Sequence, residues 1–128
     1  MKILVVDDDK LMLSVVSKRL KNKGYNVFST DNGVESLRII SEEKIDLVIS
    51  DVMMPCLSGF TLITMLKNFY FLNIPVLLIS AGKQENKILN SHGIQEDSFF
   101  SKPIDFNRLY NRIEECLNTQ SRIALKTI

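Results

Sequence analysis

Short apolar runs alternate along the chain with segments whose apolar residues recur at helical spacing. Five runs of this kind predict strands, at 2–6, 26–30, 47–50, 76–80 and 98–101. The fourth contains Val76-Leu77-Leu78-Ile79 without a polar interruption. An uninterrupted apolar strand is typical of a parallel sheet, because its strands are covered on both faces.

The segments between these runs predict five helices, because their apolar residues lie three or four positions apart. Asp9, Asp31 and Asp105 are placed to cap the first, second and last helix, and Gly24 to end the first. The fourth helix, at 85–91, is short and polar. The apolar positions are Leu11, Met12, Val15, Val16 and Leu20 in the first helix; Val34, Leu37, Ile39 and Ile40 in the second; Phe60, Leu62, Ile63 and Leu66 in the third, after Ser58-Gly59; Ile88 and Leu89 in the fourth; and Leu109, Ile113, Cys116 and Leu117 in the last.

Strands that alternate with helices predict an α/β fold, with one parallel sheet, right-handed crossovers and helices on both faces. A length of 128 residues corresponds to one domain that can bury a substantial core. The 16 basic and 15 acidic residues nearly cancel. This balance gives no electrostatic reason to expect that the domain itself binds nucleic acid or a membrane surface.

Cysteine usage and apolar segment length together predict a cytoplasmic protein. Cys56 and Cys116 lie far apart in the sequence, and nothing around them suggests a disulfide, which fits a reducing compartment. The N-terminal segment lacks the long apolar core and cleavage site of a signal peptide. No apolar stretch approaches the ~20 residues that a membrane-spanning helix needs.

Acidic residues follow two of the predicted strands at the point where each strand ends. Asp7, Asp8 and Asp9 come directly after the first strand, and Asp51 comes after the third. The carboxyl ends of neighbouring strands in an open parallel sheet border the same ligand-binding crevice. Clustered carboxylates repel one another unless a cation lies among them, and Mg²⁺ prefers oxygen ligands. The pattern therefore predicts a metal-dependent phosphate site.

Four short motifs, in this order, resemble those of the receiver domain of two-component response regulators. They are Val6-Asp7-Asp8; Asp51 with Met54-Pro55 three residues on and Gly59 eight residues on; Ser80-Ala81; and Lys102-Pro103. Each motif alone is weak, but the four together are specific, and the resemblance covers nearly all of residues 2–118. It implies a flavodoxin-like, doubly wound, five-stranded parallel sheet of order 2-1-3-4-5 with five helices. Residues 1–118 are then the receiver domain, and 119–128 a C-terminal tail or the start of a linker.

The same resemblance implies which residues hold the metal ion and accept the phosphoryl group. Asp51 is the expected nucleophile, forming an acyl phosphate. Asp8 is expected to ligate Mg²⁺ directly and Asp7 mainly through water. Asp51 itself and the backbone carbonyl of Met53 would complete the protein ligands. The expected cofactor is therefore Mg²⁺.

Residues near the ends of the fourth and fifth strands are implied to contact the phosphoryl group and to carry the switch. Lys102 would offset charge on the transferring group, while the Ser80 hydroxyl and the backbone N–H of Ala81 would meet its oxygens. Phe99, three residues before Lys102, matches the rotating aromatic side chain of the family. The Lys102-Pro103 bond falls where the family often has a cis peptide bond.

The resemblance implies a signalling switch in a phosphorelay rather than an enzyme acting on other substrates. A histidine kinase or phosphotransfer protein is expected to phosphorylate Asp51, and the domain would catalyse only its own phosphorylation and dephosphorylation. The surface of the fourth helix, fifth strand and fifth helix is then expected to change. An effector protein or a second copy of the chain would bind that surface. No direct contact with nucleic acid or a membrane is expected.

The same residues also admit other interpretations. Taken alone, Asp7 and Asp8 are more typical of loop acids or helix caps, and Lys102 of a solvated charge. Met53 and Met54 are more often packing residues. A haloacid-dehalogenase-like enzyme needs a second acid two residues after its nucleophile, where this chain has Met53. A nucleotide- or flavin-binding module is disfavoured because the glycine-rich phosphate loops are absent.

Overall fold

Five parallel strands form one sheet at the centre of the molecule. In the computed structural model, which describes residues 1–54, 57–68, 73–81 and 98–126, the strands lie in the order β2-β1-β3-β4-β5. Every neighbouring pair is parallel. The predicted order 2-1-3-4-5 is thus confirmed. The strands are β1 (Lys2–Val6), β2 (Asn26–Thr30), β3 (Leu47–Asp51), β4 (Val76–Ser80) and β5 (Phe99–Ser101).

Four helices connect or follow these strands in the described part of the chain. They are α1 (Lys10–Asn22), α2 (Gly33–Glu43), α3 (Gly59–Asn68) and α4 (Phe106–Lys126). The last of them, α4, is the fifth predicted helix. The predicted fourth helix at 85–91 lies outside the described residues, as does Cys56. Because α4 runs past residue 118, the division into a domain and a tail stays a prediction.

The helices cover both faces of the sheet, as a doubly wound fold requires. Successive strand side chains point to opposite faces, so Ile3 and Val5 pack with α1 and α4, whereas Leu4 and Val6 pack with α2 and α3. Each face has its own buried cluster. The helical members of the first cluster are Val16, Leu20, Leu109, Ile113 and Leu117, and those of the second are Ile39, Ile40, Leu62 and Leu66.

Two of the three predicted aspartate caps are confirmed, and the third prediction is wrong. Asp9 Oδ1 accepts hydrogen bonds from the Leu11 and Met12 N–H groups at 3.0 and 3.2 Å. Asp105 Oδ1 accepts one from the Arg108 N–H at 3.2 Å. At α2, however, the cap is Asn32 and not Asp31. The helix begins at Gly33, so residue 32 is the one whose side chain reaches its free N–H groups.

Several apolar positions at helical spacing lie on the solvent side of their helices. Leu11 is 76% exposed, Val34 57% and Val15 39%, whereas the polar Ser17 and Ser36 are buried. The part of a helix that becomes buried is set by its contact with the sheet, and spacing alone does not determine it. None of the helices in the described residues is both long enough and apolar enough to cross a membrane.

Candidate functional site

The carboxylates of Asp7, Asp8 and Asp51 meet at the carboxyl end of the sheet. One oxygen from each lies within 4.8 Å of the others. The register explains this closeness, because β1 and β3 are neighbours with Val6 opposite Ser50, so the residues that follow each of these come side by side. Asp7 is 2% exposed and Asp51 8%, while Asp8 is open to solvent.

Backbone contacts hold Asp7 in its place. Its N–H donates to the carbonyl of Thr30 at 3.2 Å, which ties it to the end of β2. Its Oδ1 accepts a hydrogen bond from the Asp9 N–H at 2.9 Å, and Oδ2 takes no part in this bond. The contribution of Thr30 was not predicted. Asp7 and Thr30 are far apart in sequence, and their contact depends on the pairing of β1 with β2.

Lys102 supplies the cation of the cluster. Its Nζ lies 3.6 Å from Asp7 Oδ2 and 3.9 Å from Asp51 Oδ2. The backbone places it there, because its N–H donates to the Ser80 carbonyl at 2.8 Å. The Lys102-Pro103 bond that follows is cis. The structure thus brings Lys102 together with two of the three aspartates, and the interpretation as a solvated charge is wrong.

The electrostatics of the cluster favour additional positive charge. The pKa of Asp51 is raised to about 6, first by burial and then by the negative charge of Asp7, while Lys102 acts in the opposite direction. One ammonium group therefore does not offset three carboxylates. A set made only of oxygen donors, partly buried and partly open to water, fits Mg²⁺.

Ser80 and Ala81 follow β4, the strand next to β3. Asp51 pairs with Ile79, and Ser80 pairs with Ser101, which precedes Lys102. Asp51, Ser80 and Lys102 therefore lie at the ends of three adjacent strands. Ser80 is buried and Ala81 is exposed.

The two methionines after Asp51 differ in their surroundings. Met54 is buried in the cluster on the α2 and α3 side, as a packing residue should be. The Met53 side chain is 71% exposed, so its interpretation as a packing residue is wrong. The backbone carbonyl of Met53 is then the part of this residue that remains a candidate metal ligand.

Phe99 lies inside the molecule. It is 6% exposed and packs with Val52 and Leu78, with Phe60 and Ile63 of α3 against the same cluster. Its side chain therefore faces the core. Its rotation in a switch stays a prediction.

Comparison with known proteins identifies the family to which the chain is similar. The family model described as the response regulator receiver domain matches residues 3–114. The transcriptional regulatory protein GlrR of Escherichia coli is 33% identical over 90% of this chain and 26% of its own length. CrdR of Helicobacter pylori is 30% identical over 91% of this chain and 55% of its own length. The chain thus spans about half or less of these relatives.

Solved structures agree with this assignment. The receiver domain of a Francisella response regulator has a TM-score of 0.81 and 26% identity, over 93% of this chain and 98% of that one. The response regulator TrrA of Thermotoga maritima, solved in complex with Mg²⁺-BeF, has a TM-score of 0.77 and 27% identity, over 91% and 98%. With a family match across most of its length and the same fold in these structures, the chain belongs to the response regulator receiver domain family.

Proposed function

We propose that this receiver domain carries a phosphoryl group on Asp51 in a Mg²⁺-dependent phosphorelay. Two-component signalling follows from the family, whereas the acceptor residue is our proposal. The observation that carries it is the contact of Asp51 with both partners the reaction needs: a cluster of oxygen ligands within 4.8 Å, and the Lys102 ammonium at 3.9 Å.

In the proposed reaction, a carboxylate oxygen of Asp51 attacks the phosphorus atom of a phosphorylated histidine on the donor. A P–O bond forms as the P–N bond breaks, and the imidazole leaves. Because the pKa of Asp51 is about 6, the nucleophile is ionised at neutral pH. Lys102 would pair with the transferred group, and the Ser80 hydroxyl and Ala81 N–H would donate to its oxygens.

The metal would be held by the side chains of Asp7, Asp8 and Asp51 and by the backbone carbonyl of Met53. When bound, Mg²⁺ offsets charge on the transferring phosphoryl oxygens. The chain's own contribution is the arrangement of the ligands. Burial of Asp7 and its hydrogen bond from the Asp9 N–H hold that carboxylate ready without the ion.

The switch proposed for Ser80 and Phe99 is supported by the contacts of β5. Arg108 Nη2 donates to the Phe99 carbonyl at 3.1 Å, and its guanidinium lies 4.5 Å from the centre of the Phe100 ring. Arg112 Nη2 lies 3.2 Å from Ser98 Oγ. A displacement of β5 would therefore move α4 directly. Both elements belong to the surface proposed to switch, together with the fourth predicted helix.

The donor we propose is a histidine kinase or a phosphotransfer protein in the cytoplasm. An effector protein or a second copy of the chain would bind the surface that switches. The domain itself would contact neither nucleic acid nor a membrane. GlrR and CrdR are named as transcriptional regulators and are longer than this chain, so any transcriptional output would require more than the domain described.

The proposal is tested by phosphorylation with acetyl phosphate and Mg²⁺, followed by intact-protein mass spectrometry. Wild type should gain one phosphoryl group, and Asp51→Asn none. Asp31→Asn is the matched control, because it makes the same chemical change at an exposed acid outside the cluster. A phosphorylated Asp51→Asn protein, or a wild type that gains no mass with any small phosphodonor, would contradict the assignment.

A further inference from the structure

The first helix carries a concentration of positive charge that the rest of the chain lacks. Between residues 10 and 23 there are five basic side chains and no acidic one: Lys10, Lys18, Arg19, Lys21 and Lys23. Leaving these five out of the chain's 16 basic and 15 acidic residues leaves eleven basic against fifteen acidic. The basic helix therefore belongs to an otherwise acidic chain, and its charge is a local feature.

Part of this charge surrounds a groove between α1 and β2. The groove has a volume of about 390 Å³, within the range of small-molecule sites. None of its described lining residues is acidic. The lining consists of Lys10, Leu13, Ser14, Ser17, Lys18, Lys21 and Ser29. Ammonium groups and hydroxyls thus share one concave surface, and both are donors to anionic oxygens.

The hydroxyl of Ser17 is an independent sign that the groove binds a ligand. The residue is only 7% exposed, and its hydroxyl oxygen is buried without a hydrogen-bond partner in the described structure. Buried polar groups are normally satisfied, because leaving one unpaired costs free energy. Ser17 lines the groove, so an anionic oxygen there would supply the missing acceptor once the hydroxyl turns toward it.

The spacing of the lysines indicates the shape of the ligand. Lys10 and Lys21 are separated by eleven positions of α1, which is about 16 Å along a helix axis. A chain of phosphoryl groups can therefore contact more of these ammonium groups at once than a single phosphate ion can. Lysine is a common phosphate ligand that acts as a point charge. We propose that the groove between α1 and β2 binds an extended polyanion with two or more phosphoryl groups. This goes beyond the proposed phosphorylation of Asp51.

The test is amide NMR on the protein freed of divalent cations, with inorganic phosphate, pyrophosphate, tripolyphosphate or citrate added at constant ionic strength. Tripolyphosphate should bind most tightly and phosphate least, with shifts at residues 10–21 and at Ser29. Citrate separates recognition of phosphoryl groups from attraction to negative charge alone. Citrate binding as tightly as tripolyphosphate, or shifts confined to the pocket of Asp51 and Lys102, would overturn the proposal.

Two matched double variants, one on each side of α1, distinguish binding in the groove from general attraction of the anion to a basic helix. Lys10→Gln/Lys21→Gln removes two charges from the groove and should weaken tripolyphosphate binding roughly tenfold. Arg19→Gln/Lys23→Gln removes two charges from the opposite side, where they lie over the Phe106 and Tyr110 rings, and should leave binding nearly unchanged. Equal weakening in both variants would show that no site exists.

Ser17→Ala gives a second test, in which the melting temperature and the binding of tripolyphosphate should change in opposite directions. The substitution removes a buried hydroxyl without a partner, so the free protein should melt at a higher temperature. The same variant should bind tripolyphosphate several-fold more weakly than wild type. A variant that melts higher yet binds as tightly as wild type would overturn the assignment of Ser17 to the site.

Discussion

Gly59 lies so close to Asp51 that a Cβ atom on residue 59 would be 2.8 Å from the Asp51 carbonyl oxygen. The same atom would be 2.8 Å from Leu78 Cδ2, and the Gly59 N–H already donates to the Val52 carbonyl at 2.9 Å. The start of α3 is thus packed directly on the strand end that carries the proposed nucleophile. Glycine at this position of the motif is explained by contact and not by backbone conformation.

Gly59→Ala should therefore destabilise the protein and disturb the pocket. Because one of the two obstructing atoms, the Asp51 carbonyl oxygen, belongs to the backbone and cannot turn aside, we expect a loss of about 1–3 kcal/mol in the free energy of unfolding, measured by urea denaturation. Phosphorylation by acetyl phosphate should also slow. Lys67→Ala, at an exposed position of the same helix, is the control and should change neither quantity. An unchanged Gly59→Ala protein would show that the contact relaxes at no cost.

Stability should depend on pH through Asp51 when no divalent cation is present. Folded Asp51 has a pKa of about 6, raised from 3.8, so between these values the folded state binds more protons than the unfolded state. Stability should accordingly fall as pH rises from about 4 to about 6, by about 1–3 kcal/mol. Urea denaturation across this range measures the fall. Asp51→Asn should flatten this part of the profile, and an equally steep profile in that variant would assign the proton to another group.

Magnesium should stabilise the folded protein, because its ligands converge only there. At a hundredfold excess over its dissociation constant the gain is about 2.7 kcal/mol. Without metal, Asp51→Asn should be more stable than wild type, since it removes one of three repelling charges. With metal the difference should narrow. Thermal melts at increasing Mg²⁺ measure both effects, with Asp31→Asn as the control. A less stable Asp51→Asn protein in metal-free buffer would contradict the clustered-carboxylate interpretation.

Ser80→Ala should separate phosphorylation from the switch. The variant keeps Asp51 and should still accept a phosphoryl group, but it lacks the hydroxyl that would move toward the group and make room for Phe99. Amide NMR with and without beryllofluoride, a mimic of the acyl phosphate, should show shifts at Phe99, Arg108 and α4 in wild type and much smaller ones in the variant. Equal shifts in both proteins would mean that Ser80 does not couple the pocket to β5.

Much of the fold followed from local patterns in the chain. The bounds of β1, β2 and β4 match their apolar runs, and Asp9 and Asp105 cap the helices that they precede. These features depend on neighbouring residues, and so can be predicted from them. The meeting of Asp7 and Asp51 was also predictable, because strand ends in a parallel sheet lie at one edge.

The tertiary structure decided what depends on contacts between distant elements. Spacing could not distinguish the exposed Leu11 and Val34 from buried positions, because the sheet selects which side of each helix is covered. The contact of Lys102 with Asp7, and the inward position of Phe99, arise only when β5 joins the sheet beside β4. A sequence specifies such contacts through the packing of the whole domain, and no short segment contains them.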